Sequence, residues 1–232
     1  MSLQNTAAVF IRVGILALPI VGLLVLVDGL FSFGIPSPQR YPTEAAQAAS
    51  TTGYFLAQIG SKVLGSTLAI FGLLALFAYL VNTSVRRLAT VVATLAMVLS
   101  ILGMSMLLST SGIHAYAVPA LAQEYLNGQQ NALQLVDTIF SQAIVINILA
   151  NLLIFVGFVL FGGLIWRSGT LPKWAGVLLA VSSLVFAVPA YIPPLVILVS
   201  LLLVIAGVEI SRGIRGQPPP AQMEAEAQPR VR

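Results

Sequence analysis

The sequence predicts an all-α protein: a polytopic membrane helical bundle of six transmembrane helices, with a short interfacial helix in its external loop. Three observations carry this. Of 232 residues, 58% are apolar and only 8% charged, against about 25% charged in soluble domains. Uncharged apolar stretches long enough to cross a bilayer recur, residues 63–85 among them, and they lack the two-residue alternation of a membrane barrel. Finally, Arg12, Arg86, Arg87, Arg167, Lys173, Arg212, Arg215, Arg230 and Arg232, nine of the eleven Lys and Arg residues, fall on segments assigned to one face. That is the positive-inside bias, so the net charge of +4 implies no nucleic-acid partner. The absence of cysteine removes disulfides, thiolate metal sites and thiol nucleophiles.

The first helix is expected at about 11–33. A short polar start and an apolar run imitate a secretory signal, but the nearest small-residue site, Ala46-Gln47-Ala48, lies too far beyond the apolar region for cleavage. Pro19 removes one backbone hydrogen bond and is expected to kink this helix. The Pro-rich stretch 35–42 reads as an external turn, and 44–52 as the lead-in to helix two at 54–81. Helix two carries Ser61, Gly65, Ala69 and Gly72 on one ridge, which lets another backbone approach closely. Packing inside the bundle is the preferred reading, and a dimer seam the alternative. An inner turn with Arg86 and Arg87 leads to helix three at 88–111.

Residues 112–136 are mildly polar and contain no Lys or Arg. With Pro119 placed to start a helix and Gly128 to end it, they read as the interfacial helix of an external loop. Helix four follows at 138–165. The basic turn after it is flanked by Trp166 and Trp174, the only tryptophans, at the depth where indoles favour a membrane interface. Uncharged residues 174–208 suffice for two short helices, at 174–191 and 195–211, broken near Pro189 and the Pro193-Pro194 pair. Residues 1–216 thus form one membrane domain, and 217–232, Pro-rich and poor in apolar residues, a disordered cytoplasmic tail. A match between 77–96 and 161–180 is too dependent on biased composition to establish a repeat.

The segment Trp166-Arg-Ser-Gly-Thr-Leu-Pro-Lys-Trp-Ala-Gly-Val-Leu-Leu179 resembles a signature of the bacterial multi-pass membrane family catalogued as domain of unknown function 4386. There a basic residue ends one helix, Ser-Gly-x-x-Pro turns, and Gly-Val-Leu-Leu opens the next. Ser168, Gly169, Pro172 and Gly176 to Leu179 carry the match. The Asp- and Asn-rich segment of that family after helix one is here replaced by Pro, Thr and Ala. The resemblance implies the six-helix layout and a bacterial cytoplasmic membrane, with both termini cytoplasmic, and supplies no activity.

Among candidate chemistry, Asp28 lies roughly 24 Å along its helix from Arg12, and Lys62 roughly 36 Å from Arg86. They are expected to meet near the outer interface as a structural ion pair or, alternatively, a substrate or proton site. Asn147 and Asn151, one turn apart on helix four, either tie helices together or line a polar cavity. His114, the only histidine, and the distant Glu124 and Asp137 match no metal motif. No catalytic motif occurs, so no enzyme, no cofactor and no metal are expected. Two functions are compatible with these residues. One is a structural or accessory subunit packing against a membrane partner or a second copy through a lipid-facing ridge of small residues. The other is a small permease or sensor whose cavity, between helices one, two and four, gathers Asp28, Lys62, Asn147 and Asn151. The surface expected to recognise a partner or ligand is the external segment bearing Tyr116, Leu121 and Tyr125.

Overall fold

The computed structural model describes residues 3–33, 40–84, 86–184 and 193–216. Among them there are helices and no strands: α1 (Leu3–Gly14), α2 (Ala17–Phe33), α3 (Pro42–Ala49), α4 (Thr52–Gln58), α5 (Gly65–Thr83), α6 (Arg87–Gly112), α7 (Val118–Leu126), α8 (Asn131–Ser168), α9 (Lys173–Ser182) and α10 (Pro193–Arg215). A π-helical turn, Ile59–Leu64, joins α4 to α5, and a second, Ile113–Ala117, joins α6 to α7. Among the described residues, five spans are long and apolar enough to cross a membrane: Thr6–Phe31, Thr52–Thr83, Arg87–Leu126, Gln134–Ser168 and Pro194–Arg215. The expected fifth crossing is described only as the shorter apolar α9. Its continuation through Pro189, residues 35–39 of the expected external turn and the tail at 217–232 lie outside the described residues.

Helices α2, α5, α6, α8, α9 and α10 pack each against its neighbour in sequence, and α10 returns against α2. The successive helices run antiparallel, so Arg86, Arg87, Arg167, Lys173, Arg212 and Arg215 gather at one end, the basic end. Centrally, Leu73, Leu76, Ile154, Phe158, Phe161, Ile165 and Leu179 are fully or almost fully buried. Glycines set the closest approaches. A Cβ on Gly207 would stand 2.5 Å from the nitrogen of Pro19, and one on Gly103 2.7 Å from the carbonyl of Ala150. Pro19 explains the interruption at Ile15 and Leu16: it has no N–H for the carbonyl of Ile15, which instead accepts from Leu18 N at 3.2 Å.

The basic turn closes tightly. Gly169 caps α8 with a left-handed φ of 68°, and the N–H of Thr170 donates to Ser168 Oγ at 3.3 Å. Leu171 tucks against Gly213 of α10 and is 4% exposed. Trp166 and Trp174 stand out at 48% and 73% exposure, and the Lys173 ammonium lies 5.8 Å from the Trp166 ring centroid. This is the amphipathic collar that a membrane interface favours.

Three boundaries differ from expectation. First, the chain is helical from Leu3, and Gly14 stands beside Ala75. Arg12 therefore lies well inside the level of Arg86 and is exposed at the bundle's flank, its long stem able to carry the charge along an apolar surface. Second, the lead-in to helix two is itself a helix, α3, with Pro42 in its first turn and Glu44 near its positive end. Third, the external loop does not leave helix three. The helix continues through the Ile113–Ala117 π turn into α7, so the expected interfacial helix extends α6, and α8 starts at Asn131 rather than near 138. Pro119 cannot donate to the carbonyl of Ala115 and its ring crowds it. The wider turn there, closed by Val118 N–H on the carbonyl of Ile113, accommodates that crowding without ending the helix.

Candidate functional site

At the end opposite the basic turns, α3 and α7 pack on one another around Ala46, Ala49, Tyr54 and Ala122. This small cap sits over a polar layer built by four spans. Asp28 of α2 is 7% exposed. Its Oδ2 lies 3.1 Å from Lys62 Nζ, and its Oδ1 accepts from Gln58 Nε2 at 2.6 Å. Gln58 and Lys62 are four residues apart across the start of the first π turn, so both side chains converge on the same carboxylate.

The pair forms although the two depths read from the sequence differed by about 12 Å. The resolution is the level of Arg12. Measured from Arg86, Gly14 stands eleven residues up beside Ala75, and Asp28 a further fourteen along α2. That total rises about 37 Å, against about 36 Å for Lys62.

The polar layer continues through α6 to α8. Ser111 Oγ donates to the carbonyl of Leu107 at 2.8 Å and lies 3.5 Å from that of Lys62. Thr110 Oγ1 donates to Asn147 Oδ1 at 2.7 Å, which makes Asn147 a tie between α6 and α8. His114, on the second π turn, packs edge-on against Phe140 with ring centroids 4.8 Å apart. Among the described residues, no three His, Asp or Glu side chains are arranged to hold a metal ion.

The four residues expected around one cavity are therefore not brought together. Asp28 and Lys62 pair between α2 and the α4–α5 span, and Asn147 bonds to Thr110 on the far side of α6. Asn151, half-buried one turn deeper, makes no hydrogen bond within the described residues. The small-residue ridge faces inward. Ser61, Gly65, Ala69 and Gly72 are all buried, and a Cβ on Gly72 would stand 2.7 Å from Leu18 Cδ2. The ridge is the seat of α2 in the chain's own bundle, so it supplies no lipid-facing surface for a partner.

A second seam of the same kind went unread in the sequence. Ala96, Ser100 and Gly103 of α6 meet Ala150, Ile154 and Gly157 of α8, with Ser100 Oγ wedged against Gly157. The spacing of Ala93, Ala96, Ser100 and Gly103 by threes and fours was the available signal. Gln58 was also missed, although it stands one turn before Lys62.

Two buried groups near the ion pair have no partner among the described residues: Gln58 Oε1 and Ser61 Oγ. Ser61 lines a groove of about 300 Å³ between α2 and the α4–π segment, whose other walls include Leu24, Val27, Phe31, Leu56 and Gly60. On the cap, Tyr116 is 58% exposed and meets the Phe55 ring edge-on, 5.9 Å between centroids. Leu121 borders a shallow cleft with Glu124, Gln129 and Gln134, and Tyr125 packs into the cap's own core. Comparison with protein-family models, curated proteins and solved structures found no match to this chain.

Proposed function

We propose that this is a non-catalytic integral membrane protein of the bacterial cytoplasmic membrane, both termini cytoplasmic, that serves as an accessory component and engages a membrane partner through its external cap. The observation that carries this reading is the cap itself. It has its own small core, it lies opposite the basic turns, and it is anchored to the bundle by the helix that bears Tyr54, Gln58 and Lys62. The turns at the basic end are too short to form a shaped surface. We read the chain as a relative of the domain-of-unknown-function 4386 family on its inner turn, where Gly169 supplies the left-handed cap and Gly176 seats against Gly162. A permease has less in its favour, because Asp28 pairs with Lys62 while Asn147 bonds to Thr110, and the core toward the basic end is filled by Phe158, Phe161 and Ile165.

Two predictions test this. With no native cysteine, single cysteines at Ser50 and Gln129 are expected to react with an impermeant maleimide in intact cells, and those at Thr83 and Thr170 to stay unlabelled. The reverse pattern would invert the orientation. For recognition, Tyr116→Ser and Leu121→Ser are expected to weaken co-purification of the partner in mild detergent at unchanged folded yield. Removal of residues 217–232 should have no effect on it. Tyr125→Ser is expected to lower the folded yield as well, since its ring packs in the cap core. Loss of the partner on tail removal, with silent cap variants, would place recognition at the cytoplasmic face.

A further inference from the structure

We infer that the basic end carries a site for the headgroup of an anionic phospholipid, centred on the turn between α8 and α9. Neither the accessory reading nor the side of the membrane that this end faces enters into it.

Cations of four helices converge on that turn. Arg167 lies in the last turn of α8, and Lys173 opens α9. Leu171 and Pro172, between them, lie against Gly213, two residues before Arg215 of α10. Antiparallel α6 and α8 place Gly103 beside Ala150 and Gly157 beside Ala96, a register that carries Arg87 to the level of the same turn. All four of these basic side chains are exposed. Arg87, Ser168 and Arg215 are also where three of the five apolar spans start or end, so the charges stand at the ends of spans.

Their charge is not offset within the protein. Among the described residues, Arg86, Arg87, Arg167, Lys173 and Arg215 make no ion pair, and the one carboxylate at this end, Glu209, lies 3.0 Å from Arg212. Neither α6 nor α9 has an acidic residue in its first turn to balance the cation there. Residues 217–232 add two Glu and two Arg, and so no net side-chain charge. Clustered Lys and Arg at the end of a span attract anionic lipids.

The surroundings decide for a lipid over a free phosphate. Leu88, next to Arg87, is 71% exposed, and Trp174, next to Lys173, 73%. Trp166, next to Arg167, is exposed as well, with Lys173 Nζ 5.8 Å from its ring centroid. Arg87, Arg167 and Lys173 thus each border an open apolar or aromatic side chain, along which an acyl chain can lie while its headgroup meets the charge. A soluble phosphate gains nothing from that border.

The test uses intrinsic fluorescence, because the only two tryptophans flank this turn. The full-length protein is reconstituted in dioleoylphosphatidylcholine bilayers, a growing fraction of which is replaced by phosphatidylglycerol or phosphatidylcholine with dibrominated chains, which quench tryptophan on contact. Phosphatidylglycerol is expected to bind about ten-fold more tightly at low salt: one cation near a membrane surface is worth about five-fold, and two engage the phosphate with part of their attraction screened. Arg167→Gln with Lys173→Gln should lower the preference to about two-fold, as should about 0.5 M sodium chloride on the parent protein. Arg40→Gln, at the opposite end, should leave it unchanged. Should the double variant not fold, the salt series on the parent decides. Equal quenching by the two lipids, or a preference that survives the double variant or the salt, would overturn the proposal. So would glycerol 1-phosphate relieving more quenching than sodium chloride of equal ionic strength, which would assign the site to a soluble phosphate.

Discussion

Lys62→Met is expected to destabilise the folded protein by about 2–4 kcal/mol, and to do so more than Asp28→Asn. Removing one partner of a buried ion pair strands the other, at roughly 3–5 kcal/mol when both are fully buried. Here the burial is unequal: the carboxylate side chain is 9% exposed and the lysine 31%. Without Lys62 the carboxylate keeps only the Gln58 amide and is largely screened from water. The partial exposure of the lysine already lessens what the pair contributes, hence the lower range. Without the carboxylate, Lys62 can turn its ammonium outward along its flexible stem, and asparagine retains an oxygen for the Gln58 donor. Asp28→Asn should therefore cost only about 1 kcal/mol. The double variant should recover much of the loss caused by Lys62→Met alone. Unfolding by denaturing detergent, monitored by helix content, supplies all four corners of the cycle. Additive effects of the two changes would show that the residues are uncoupled in spite of their 3.1 Å contact.

The second large effect is expected between two adjacent glycines. A Cβ on Gly162 would stand 2.5 Å from the carbonyl oxygen of Gly176 and 2.9 Å from Ala180 Cβ, and a Cβ on Gly176 would stand 2.5 Å from the carbonyl of Gly162. The contact is reciprocal and made by backbone, so no side chain can rotate away. Gly162→Ala must push α9 off α8, with a loss of about 2–3 kcal/mol. Gly163 faces open space, with nothing within 4 Å of its Cβ position. Gly163→Ala should be neutral or stabilising by up to about 1 kcal/mol through helix propensity. Thermal unfolding in detergent separates the two. Equal effects would mean that α8 and α9 are not held at this distance in the folded protein.

Much of the helical layout was legible because its causes are local. The turn with Arg86 and Arg87 falls between α5 and α6 as read from its charges. Gly128, at φ 100°, follows the end of α7 where a glycine was expected to stop the helix, and Gly169, at φ 68°, makes the turn that the family resemblance implies. Pro19 interrupts the first span one turn earlier, through the hydrogen bond it cannot make. Pro119 stands in the first turn of α7, as a helix-starting proline was expected to, but α7 continues from α6 through the π turn instead of standing apart from it. A π turn can absorb a missing donor when the rest of the helix is held by neighbours, and neighbours are not written in the local sequence.

The ion pair shows the same division. Its members were identifiable because an ionisable residue in an apolar run requires a partner. Their equal depth was not, since it depends on Arg12 being carried in from the basic end by a helix whose first residues look like a polar leader.

Legible along the chain were the order of the long apolar segments, the end at which the basic turns gather, and the residues too polar or too small to be lipid-facing filler. Which face of each segment points inward emerges from the packing alone. Lipid and protein core are equally apolar, so a membrane helix carries little of the 3.6-residue contrast that marks the buried side of a soluble one. The Ser61 to Gly72 ridge could therefore be seen, but not whether it met lipid, another copy or the chain's own α2. Leu18 lying against Gly72 answers that, because close backbone approach is a property of two helices together and belongs to neither sequence alone.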